Sequence, residues 1–246
     1  MNSRCSTCLP SHGRRAFLGT STAAAAAAFF GLGFVSSVSH AAALTKAQRD
    51  KLTPDEIIAK MKQGNQRFRT GKETPHDYLA QQRASASGQY PAAVILSCID
   101  SRASAETIMD LGIGDVFNAR VAGNVVNADV LGSMEFACKI AGAKVVLVMG
   151  HTSCGAIKGA IDKAELGNLT GLLAKILPAV DATSYAGDRS AKNYAFVDAV
   201  ARKNVELALD GIRKGSAVLA GMETRGEVKL AGAMYNIKTA SVDFFA

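Results

Sequence analysis

Three short, largely apolar runs along the chain predict the strands of a buried sheet. They cover residues 92–97, 116–121 and 145–149, and helical patterns at 104–111 and 129–141 lie between them. A continuous apolar run is typical of a strand that is buried on both faces. Because strands that alternate with helices form parallel sheets with right-handed crossovers, we expect an α/β fold.

Further elements flank this alternation. A helix is expected to begin at Thr53 and to run to about residue 69, because Thr53 can cap it and Pro54 suits its first position. Other helices are expected near 77–86, 155–164, 169–177 and 191–214, and strands at 228–237 and 238–244. Since no repeat or linker interrupts this series, we expect a single domain over residues 44–246.

Composition and charge narrow the class of protein. The 246 residues are 48% hydrophobic and 20% charged, with 23 Gly and 5 Pro, which excludes disordered, collagenous and coiled-coil proteins. The net charge is +7, but Arg4, Arg14 and Arg15 precede residue 44, so the rest of the chain has 25 basic and 21 acidic residues. This small excess forms no Lys/Arg run and no Trp accompanies it, so no nucleic-acid partner is expected.

The first 43 residues have the pattern of a signal peptide. No Lys, Arg, Asp or Glu occurs from residue 16 to residue 45, and this Ala- and Gly-rich stretch follows Arg14 and Arg15 directly. The Arg pair and the weakly apolar core resemble the twin-arginine export signal of bacteria. Small residues at 41–43 suit a signal peptidase, so we expect cleavage near there and a periplasmic protein.

An uncleaved membrane anchor is the alternative for this segment, since the uncharged stretch is long enough to span a bilayer. Its Gly, Ser and Ala content disfavours stable insertion relative to a Leu-rich span, and the Ala-rich site at 41–43 favours release. We therefore expect no stable membrane insertion after cleavage.

Three cysteines remain beyond the leader: Cys98, Cys138 and Cys154. An odd number of thiols in a chain of this size does not indicate a disulfide scaffold, and metal ligation or catalysis explains two of them better. Cys138 belongs to an apolar helical run at 134–138 and has no polar partner nearby, so it is expected in the core.

Polar residues follow two of the predicted strands. Cys98, Asp100 and Arg102 come directly after the first strand, and His151 and Cys154 follow the third. The carboxyl ends of parallel strands share one edge of the sheet, where ligands bind, so these side chains can converge. If the chain stays extended beyond the strand, residues 98, 100 and 102 point the same way.

The converging side chains suit zinc. Two thiolates and an imidazole form a donor set that Zn²⁺ prefers, and three protein ligands leave a fourth tetrahedral position open, as in catalytic sites. Zinc there would lower the pKa of a bound water towards about 7. Asp100 could accept a hydrogen bond from that water, and Arg102 could hold Asp100 in a bidentate pair.

These motifs, with others along the chain, resemble the β-class carbonic anhydrases. The matching segments are LTPDE at 52–56, GNQRF at 64–68, CIDSR at 98–102, GDVF at 114–117, RVAGN at 120–124, GSMEFA at 132–137 and GHTSCGA at 150–156. The resemblance implies a mostly parallel central sheet, with four parallel strands and a C-terminal antiparallel strand, flanked by helices. It also implies Zn²⁺ ligation by Cys98, His151 and Cys154.

The resemblance assigns further roles. Asp100 and Arg102 match the family's dyad, in which Asp can occupy the fourth zinc position in a closed, inactive state.

The substrate pocket is implied in the same way. Gln89 matches a Gln that hydrogen-bonds substrate, and the backbone N–H of Gly155 matches a donor to the substrate oxygen. Phe117, Ala122 and Phe136 match the apolar wall of the CO₂ pocket, although relatives often have Val and Tyr in place of Ala122 and Phe136. A second bicarbonate site built around Trp in one branch is not expected, because this chain has no Trp.

The implied activity is reversible hydration of CO₂ to bicarbonate and a proton, without an organic cofactor. The implied assembly is a homodimer or tetramer whose pocket forms at the subunit interface. Two alternatives stay open: a CS₂ or COS hydrolase on the same fold, and a non-catalytic zinc-binding or redox protein. Asp100 and Arg102 argue against the latter, since a structural zinc site more often closes with a fourth protein ligand.

The leader and the thiolate site together generate a prediction about export. The twin-arginine route carries folded proteins, and reduced thiols are best loaded with zinc in the cytoplasm. Changing Arg14→Lys together with Arg15→Lys is expected to leave active, zinc-loaded, unprocessed protein in the cytoplasm. The parent is expected in the periplasm, beginning near Ala42 or Leu44. Cell fractionation with mass spectrometry of the N-terminus measures both, and normal processing of the double variant would contradict the twin-arginine assignment.

Overall fold

A computed structural model describes residues 43–245, so the predicted signal peptide lies outside the described residues except for Ala43. The described part contains a five-stranded sheet with the order β2-β1-β3-β4-β5. The strands are β1 Ala93–Ser97, β2 Val116–Arg120, β3 Val145–His151, β4 Lys229–Tyr235 and β5 Val242–Phe245. Strands β1 to β4 are parallel and β5 is antiparallel to β4, which confirms the predicted fold class.

Strands β1 and β3 are buried on both faces, as their apolar runs predicted. Every residue of β1 and β3 is buried, and their alternate side chains enter two separate cores. Val94 and Leu96 of β1 face one core, while Ala93 and Ile95 face the other. The opposite directions of successive side chains in a strand explain this division.

Helices cover both faces of the sheet. Those of the described residues are α1 Lys46–Lys51, α2 Pro54–Arg69, α3 Tyr78–Ser85, α4 Ala105–Ile108, α5 Ala128–Glu135, α6 Gly155–Ile161, α7 Gly167–Ala174, α8 Leu177–Ala182, α9 Tyr194–Gly215 and α10 Ala217–Thr224. Helices α2 and α4 contribute to one core, and α5 to α10 contribute to the other. No helix within residues 43–245 is long and apolar enough to cross a membrane.

The structure corrects several predicted helices. The helix expected at 104–111 is a single turn, α4, because the chain turns into a left-handed conformation at Asp110, where φ is +50°. The helix expected at 129–141 is α5 followed by a π-helical turn at Phe136–Ile140. The helix expected at 169–177 ends earlier, at Ala174 of α7, and α8 follows it as a separate helix that was not predicted.

Two further helices, α1 and α10, were missed, and both begin with a capping residue. The side chain of Thr45 accepts a hydrogen bond from the Gln48 backbone N–H at the start of α1, in a complete capping box. Ser216 caps α10 by accepting from the Leu219 backbone N–H. These short helices lack a long apolar stripe, so periodicity did not reveal them.

The GNQRF segment at 64–68 packs α2 against the rest of the domain. Gly64 packs so closely that a Cβ there would lie 1.8 Å from the Met109 carbonyl oxygen. The Asn65 amide donates to the carbonyl oxygens of Ile108 and Ala240, at 3.1 and 2.9 Å. These residue types are therefore required by packing and backbone pairing rather than by chemistry at the metal centre.

Asp110 joins α2 to the segment before α3. Its buried carboxylate accepts from the Arg67 guanidinium, from the Thr74 backbone N–H and hydroxyl, and pairs with His76 Nε2 at 2.9 Å. Burial would raise the pKa of Asp110, but hydrogen bonds from Arg67, Thr74 and His76 outweigh it and lower the pKa below its ordinary value.

Replacing Asp110→Asn is expected to destabilise the domain by about 1–3 kcal/mol at pH 7, because buried donors lose their ionised acceptor. Asn tolerates the positive φ, so backbone strain does not confound the comparison. Since the folded-state pKa is lowered, the carboxylate contributes stability above its unfolded pKa of about 3.9 and loses it as pH falls through the folded value. Urea unfolding at several pH values measures the difference between parent and variant, and a difference that does not shrink in acid would contradict this account.

Candidate metal centre

Three side chains meet at the carboxyl edge of the sheet. Cys98 follows β1 directly, His151 is the last residue of β3, and Cys154 precedes α6. All three are buried, and their ligand atoms lie within 4.8 Å of one another. Parallel pairing of β1 with β3, which places Ser97 opposite Met149, brings the two segments together.

The arrangement of donor atoms fits a zinc ion. The sulfur atoms of Cys98 and Cys154 are 4.0 Å apart, close to the spacing of about 3.8 Å that tetrahedral Zn–S bonds of about 2.3 Å require. His151 Nδ1 lies 2.9 Å from the Thr152 carbonyl oxygen, which can only accept, so Nδ1 carries the proton. The lone pair is thus on Nε2, which is buried and has no hydrogen-bond partner within residues 43–245.

The two thiols differ in their environments. The pKa of Cys98 is lowered by contact with Cys154, by the nearby His151 ring and by the Gly123 N–H, which donates to Cys98 Sγ at 3.3 Å. These effects outweigh burial, which acts to raise the pKa. Contact with the Cys98 sulfur and burial raise the pKa of Cys154. One thiolate therefore forms readily, and the second needs a compensating cation, which a divalent metal supplies.

Asp100 and Arg102 form a bidentate pair beside these ligands. Arg102 Nε donates to Asp100 Oδ1 at 2.9 Å and Nη2 donates to Oδ2 at 2.8 Å. Hydrogen bonds from the Arg102 side chain, and a further one from its backbone N–H, hold the pKa of Asp100 well below its usual range. The carboxylate is ionised at neutral pH, and its Oδ2 lies 3.8 Å from His151 Nε2.

The chain after β1 does not stay extended as far as Arg102. The Ala103 N–H donates to the Asp100 carbonyl oxygen at 2.9 Å, so the chain turns there instead of continuing as a strand. Arg102 is mostly exposed and folds back onto Asp100 across this turn. The pair therefore depends on a turn.

Arg120 supports this turn and was not assigned a role from sequence. At the end of β2, its Nε donates to the Cys98 carbonyl oxygen at 3.0 Å and its Nη2 to the Asp100 carbonyl oxygen at 2.6 Å. The RVAGN motif contains Arg120, and the parallel pairing of β2 with β1 places its side chain beside the start of CIDSR. Arg120 therefore fixes the backbone of both Cys98 and Asp100.

The apolar residues of the implied pocket lie beside β2. The rings of Phe117 and Phe136 are 6.2 Å apart in an edge-to-face arrangement and line a cavity of about 590 Å³. Among the described residues, the lining of this cavity includes neither Ala122 nor Cys98, His151 and Cys154, and Phe117 pairs with Val94, four residues before Cys98. Phe136 is half exposed. Ala122 begins a 3₁₀ turn at Ala122–Asn124, and Gly155 is exposed at the start of α6, directly after Cys154.

Gln89 lies far from Cys98, His151 and Cys154 within a single chain. It is exposed and precedes β1 by four residues, whereas Cys98 follows the other end of that strand. A strand of five residues spans about 17 Å, so Gln89 lies at the amino ends of the parallel strands and Cys98, His151 and Cys154 lie at their carboxyl ends.

Comparison with known proteins identifies the family. A family model described as carbonic anhydrase matches residues 93–242. The carbonic anhydrase of Mycolicibacterium smegmatis is 30% identical over 185 residues, which cover 74% of this chain and 89% of that protein. The chain belongs to the carbonic anhydrase family.

The chain is also similar to other carbonic anhydrases. Carbonic anhydrase 2 of Mycobacterium tuberculosis is 42% identical over 112 residues, which cover 45% of this chain and about half, 54%, of that protein. The β-carbonic anhydrase of Aspergillus fumigatus is 26% identical, with a TM-score of 0.59 over 78% of this chain and 89% of that one. The Coccomyxa β-carbonic anhydrase, solved with acetazolamide, is 25% identical with a TM-score of 0.59 over 65% and 74%. The fold is therefore that of the β class.

The donor set generates a prediction about metal content. Cys98→Ser is expected to retain roughly a tenth of an equivalent of zinc or less, because a hydroxyl is a much poorer zinc ligand than a thiolate. Cys138→Ala is the matched control: this thiol is buried in the core, and burial raises its pKa to about 12. Metal analysis of both purified proteins, with circular dichroism to verify folding, gives the comparison. Full zinc occupancy in folded Cys98→Ser would exclude this centre.

Proposed function

We propose that this chain is a zinc-dependent carbonic anhydrase that reversibly hydrates CO₂ to bicarbonate and a proton. The main support for this proposal is the ionised Asp100 carboxylate, which Arg102 holds with Oδ2 3.8 Å from His151 Nε2, an atom without a hydrogen-bond partner among the described residues. A purely structural zinc site would more often have a fourth protein ligand at that position. Membership of the carbonic anhydrase family supports the same activity.

Cys98, His151 and Cys154 would hold the zinc ion. When bound, zinc supplies the Lewis acidity that makes water nucleophilic at neutral pH. The three ligands are buried, and the His151 ring is already in the tautomer whose Nε2 lone pair can bind a metal. The site is thus preorganised for metal.

Asp100 would orient the nucleophile. As an ionised carboxylate it can only accept hydrogen bonds, so it fixes the direction of an O–H group at the metal centre. Its two oxygens are both engaged by Arg102, which opposes direct coordination of the metal by Asp100. The open form of the site would therefore depend on the Asp100–Arg102 pair.

The apolar wall would hold CO₂. Phe117, Phe136 and Ala122 would together present hydrocarbon surface to the uncharged substrate, and the first two already pack edge to face. The backbone N–H of Gly155 lies in the first turn of α6, where it has no partner within that helix and is free to donate to a substrate oxygen.

A second subunit would complete the pocket. Gln89 lies at the opposite edge of its own sheet from the metal ligands, so its implied contact with substrate requires another copy of the chain. The half-exposed Phe136 beside the edge strand β2 also supports burial against a partner. We therefore propose at least a homodimer, with a tetramer as the larger alternative.

We also propose that residues 1–43 direct export of the protein. Residues 1–43 would act as a cleaved twin-arginine signal, leaving a single catalytic domain at 44–246 in the periplasm. The support is the arginine pair followed by an uncharged Ala- and Gly-rich stretch.

One experiment separates this function from the two alternatives. Stopped-flow indicator assays would measure CO₂ hydration by purified, zinc-loaded protein, and sulfide release would measure CS₂ and COS hydrolysis on the same preparation. We expect CO₂ hydration far above the buffer rate and little sulfide. Sulfide release without CO₂ hydration would favour the CS₂ or COS hydrolase, and inactivity toward all three would favour a non-catalytic zinc protein.

Arg102→Ala is expected to retain zinc while CO₂ hydration falls by about 10²-fold or more, because Asp100 loses its partner and is free to occupy the open metal position. Arg225→Ala is a matched control, since Arg225 forms a bidentate pair with Glu227 on the surface. Metal analysis and stopped-flow assays at pH 7 to 8 compare the two. An Arg102→Ala enzyme as active as the control would contradict the role given to this pair.

A further inference from the structure

The peptide unit between Thr152 and Ser153 makes a hydrogen bond at each end. Its carbonyl oxygen accepts from His151 Nδ1–H at 2.9 Å. Its N–H, contributed by Ser153, donates to Asp198 Oδ1 at 2.7 Å. A continuous chain of hydrogen bonds therefore joins the Asp198 carboxylate to the ring of a metal ligand.

This peptide sits in an uncommon backbone conformation. Ser153 has a φ of +59°, in the left-handed region that residues other than glycine rarely adopt. Such a conformation persists only where surrounding contacts hold it. Thr152 is held by the end of β4 and the segment that follows it, since its N–H donates to the Tyr235 carbonyl oxygen and its hydroxyl oxygen accepts from the Ile237 N–H.

Asp198 supplies the contact on the other side. It lies near the start of the long helix α9, which packs against β3 and β4 through Val200, Val205 and their neighbours. A carboxylate on this helix is a rigid acceptor, because α9 is fixed by its buried apolar face. The loop between the ligands His151 and Cys154 is thus clamped between β4 and α9.

We propose that Asp198 is a positioning residue for His151 and acts through the Thr152–Ser153 peptide. The orientation of this peptide determines where the carbonyl acceptor lies, and hence the direction in which His151 Nε2 points. Metal-binding histidines commonly donate their second ring N–H to a carboxylate or a backbone carbonyl. Here the carbonyl is the direct partner, and Asp198 orients it by accepting from the N–H of the same peptide unit.

This inference rests on the proposed zinc site and concerns its affinity and geometry. Asp198→Ala removes the acceptor and is expected to weaken zinc binding by about 10-fold to 100-fold, the usual effect of losing an outer partner of a metal ligand. Asp198→Asn keeps an oxygen acceptor for the Ser153 N–H and is expected to stay within about threefold of the parent. Asp210→Ala, an exposed position on the same helix, is the matched control.

Competition with a chromophoric chelator measures zinc affinity, and the visible absorption of the cobalt-substituted proteins reports ligand geometry. We expect an altered cobalt spectrum in Asp198→Ala and a parent-like spectrum in Asp198→Asn and Asp210→Ala. Parent-like affinity and spectrum in Asp198→Ala would overturn the proposal, as would equal losses in Asp198→Ala and Asp198→Asn.

If Asp198→Ala does not fold, Asp198→Leu replaces it, because a side chain of similar shape fills the space but offers no acceptor to the Ser153 N–H. Its zinc affinity is expected to fall below that of Asp198→Asn, and parent-like affinity would overturn the proposal. Absence of zinc binding in the parent protein would refute the zinc site itself, which distinguishes that failure from a failure of the role given to Asp198.

Discussion

The parallel pairing of β1 with β3 is the constraint on which the metal centre depends. Both strands are buried along their full length, and their register places Ser97 opposite Met149. One residue further, Cys98 leaves β1 at the edge where β3 ends in His151. A shift of register would separate the ligands and would also move every alternate side chain into the wrong core. The same apolar packing that forms the sheet therefore assembles the donor set.

Burial gives this centre its chemistry. Two thiols and an imidazole nitrogen lie close together away from water, and within residues 43–245 Nε2 of His151 has no hydrogen bond to satisfy it. An uncompensated set of this kind is costly in a protein interior, and a divalent cation relieves that cost while ionising both thiols. Folding and metal binding should accordingly reinforce one another, with α9, β4 and Arg120 holding the ligand loops in place beforehand.

Sequence patterns predicted the elements that burial and capping dictate. Continuous apolar runs located β1 and β3, and the Thr53 cap located the start of α2. Local backbone conformation was less predictable: the left-handed Asp110 ended α4 early, and the turn after Cys98 replaced an extended path. Contacts between distant segments could not be read from spacing at all. Asp198 lies 45 residues beyond Ser153, so only the folded chain brings its carboxylate to the ligand loop.

We propose that two sulfurs and one nitrogen of this chain form an open zinc centre. X-ray absorption at the zinc edge of the purified holoprotein tests it most directly, because sulfur and nitrogen or oxygen ligands are resolved by distance. We expect two sulfur ligands at about 2.3 Å and two nitrogen or oxygen ligands at about 2.0–2.2 Å. Three or four sulfur ligands, or a shell containing no sulfur, would contradict it.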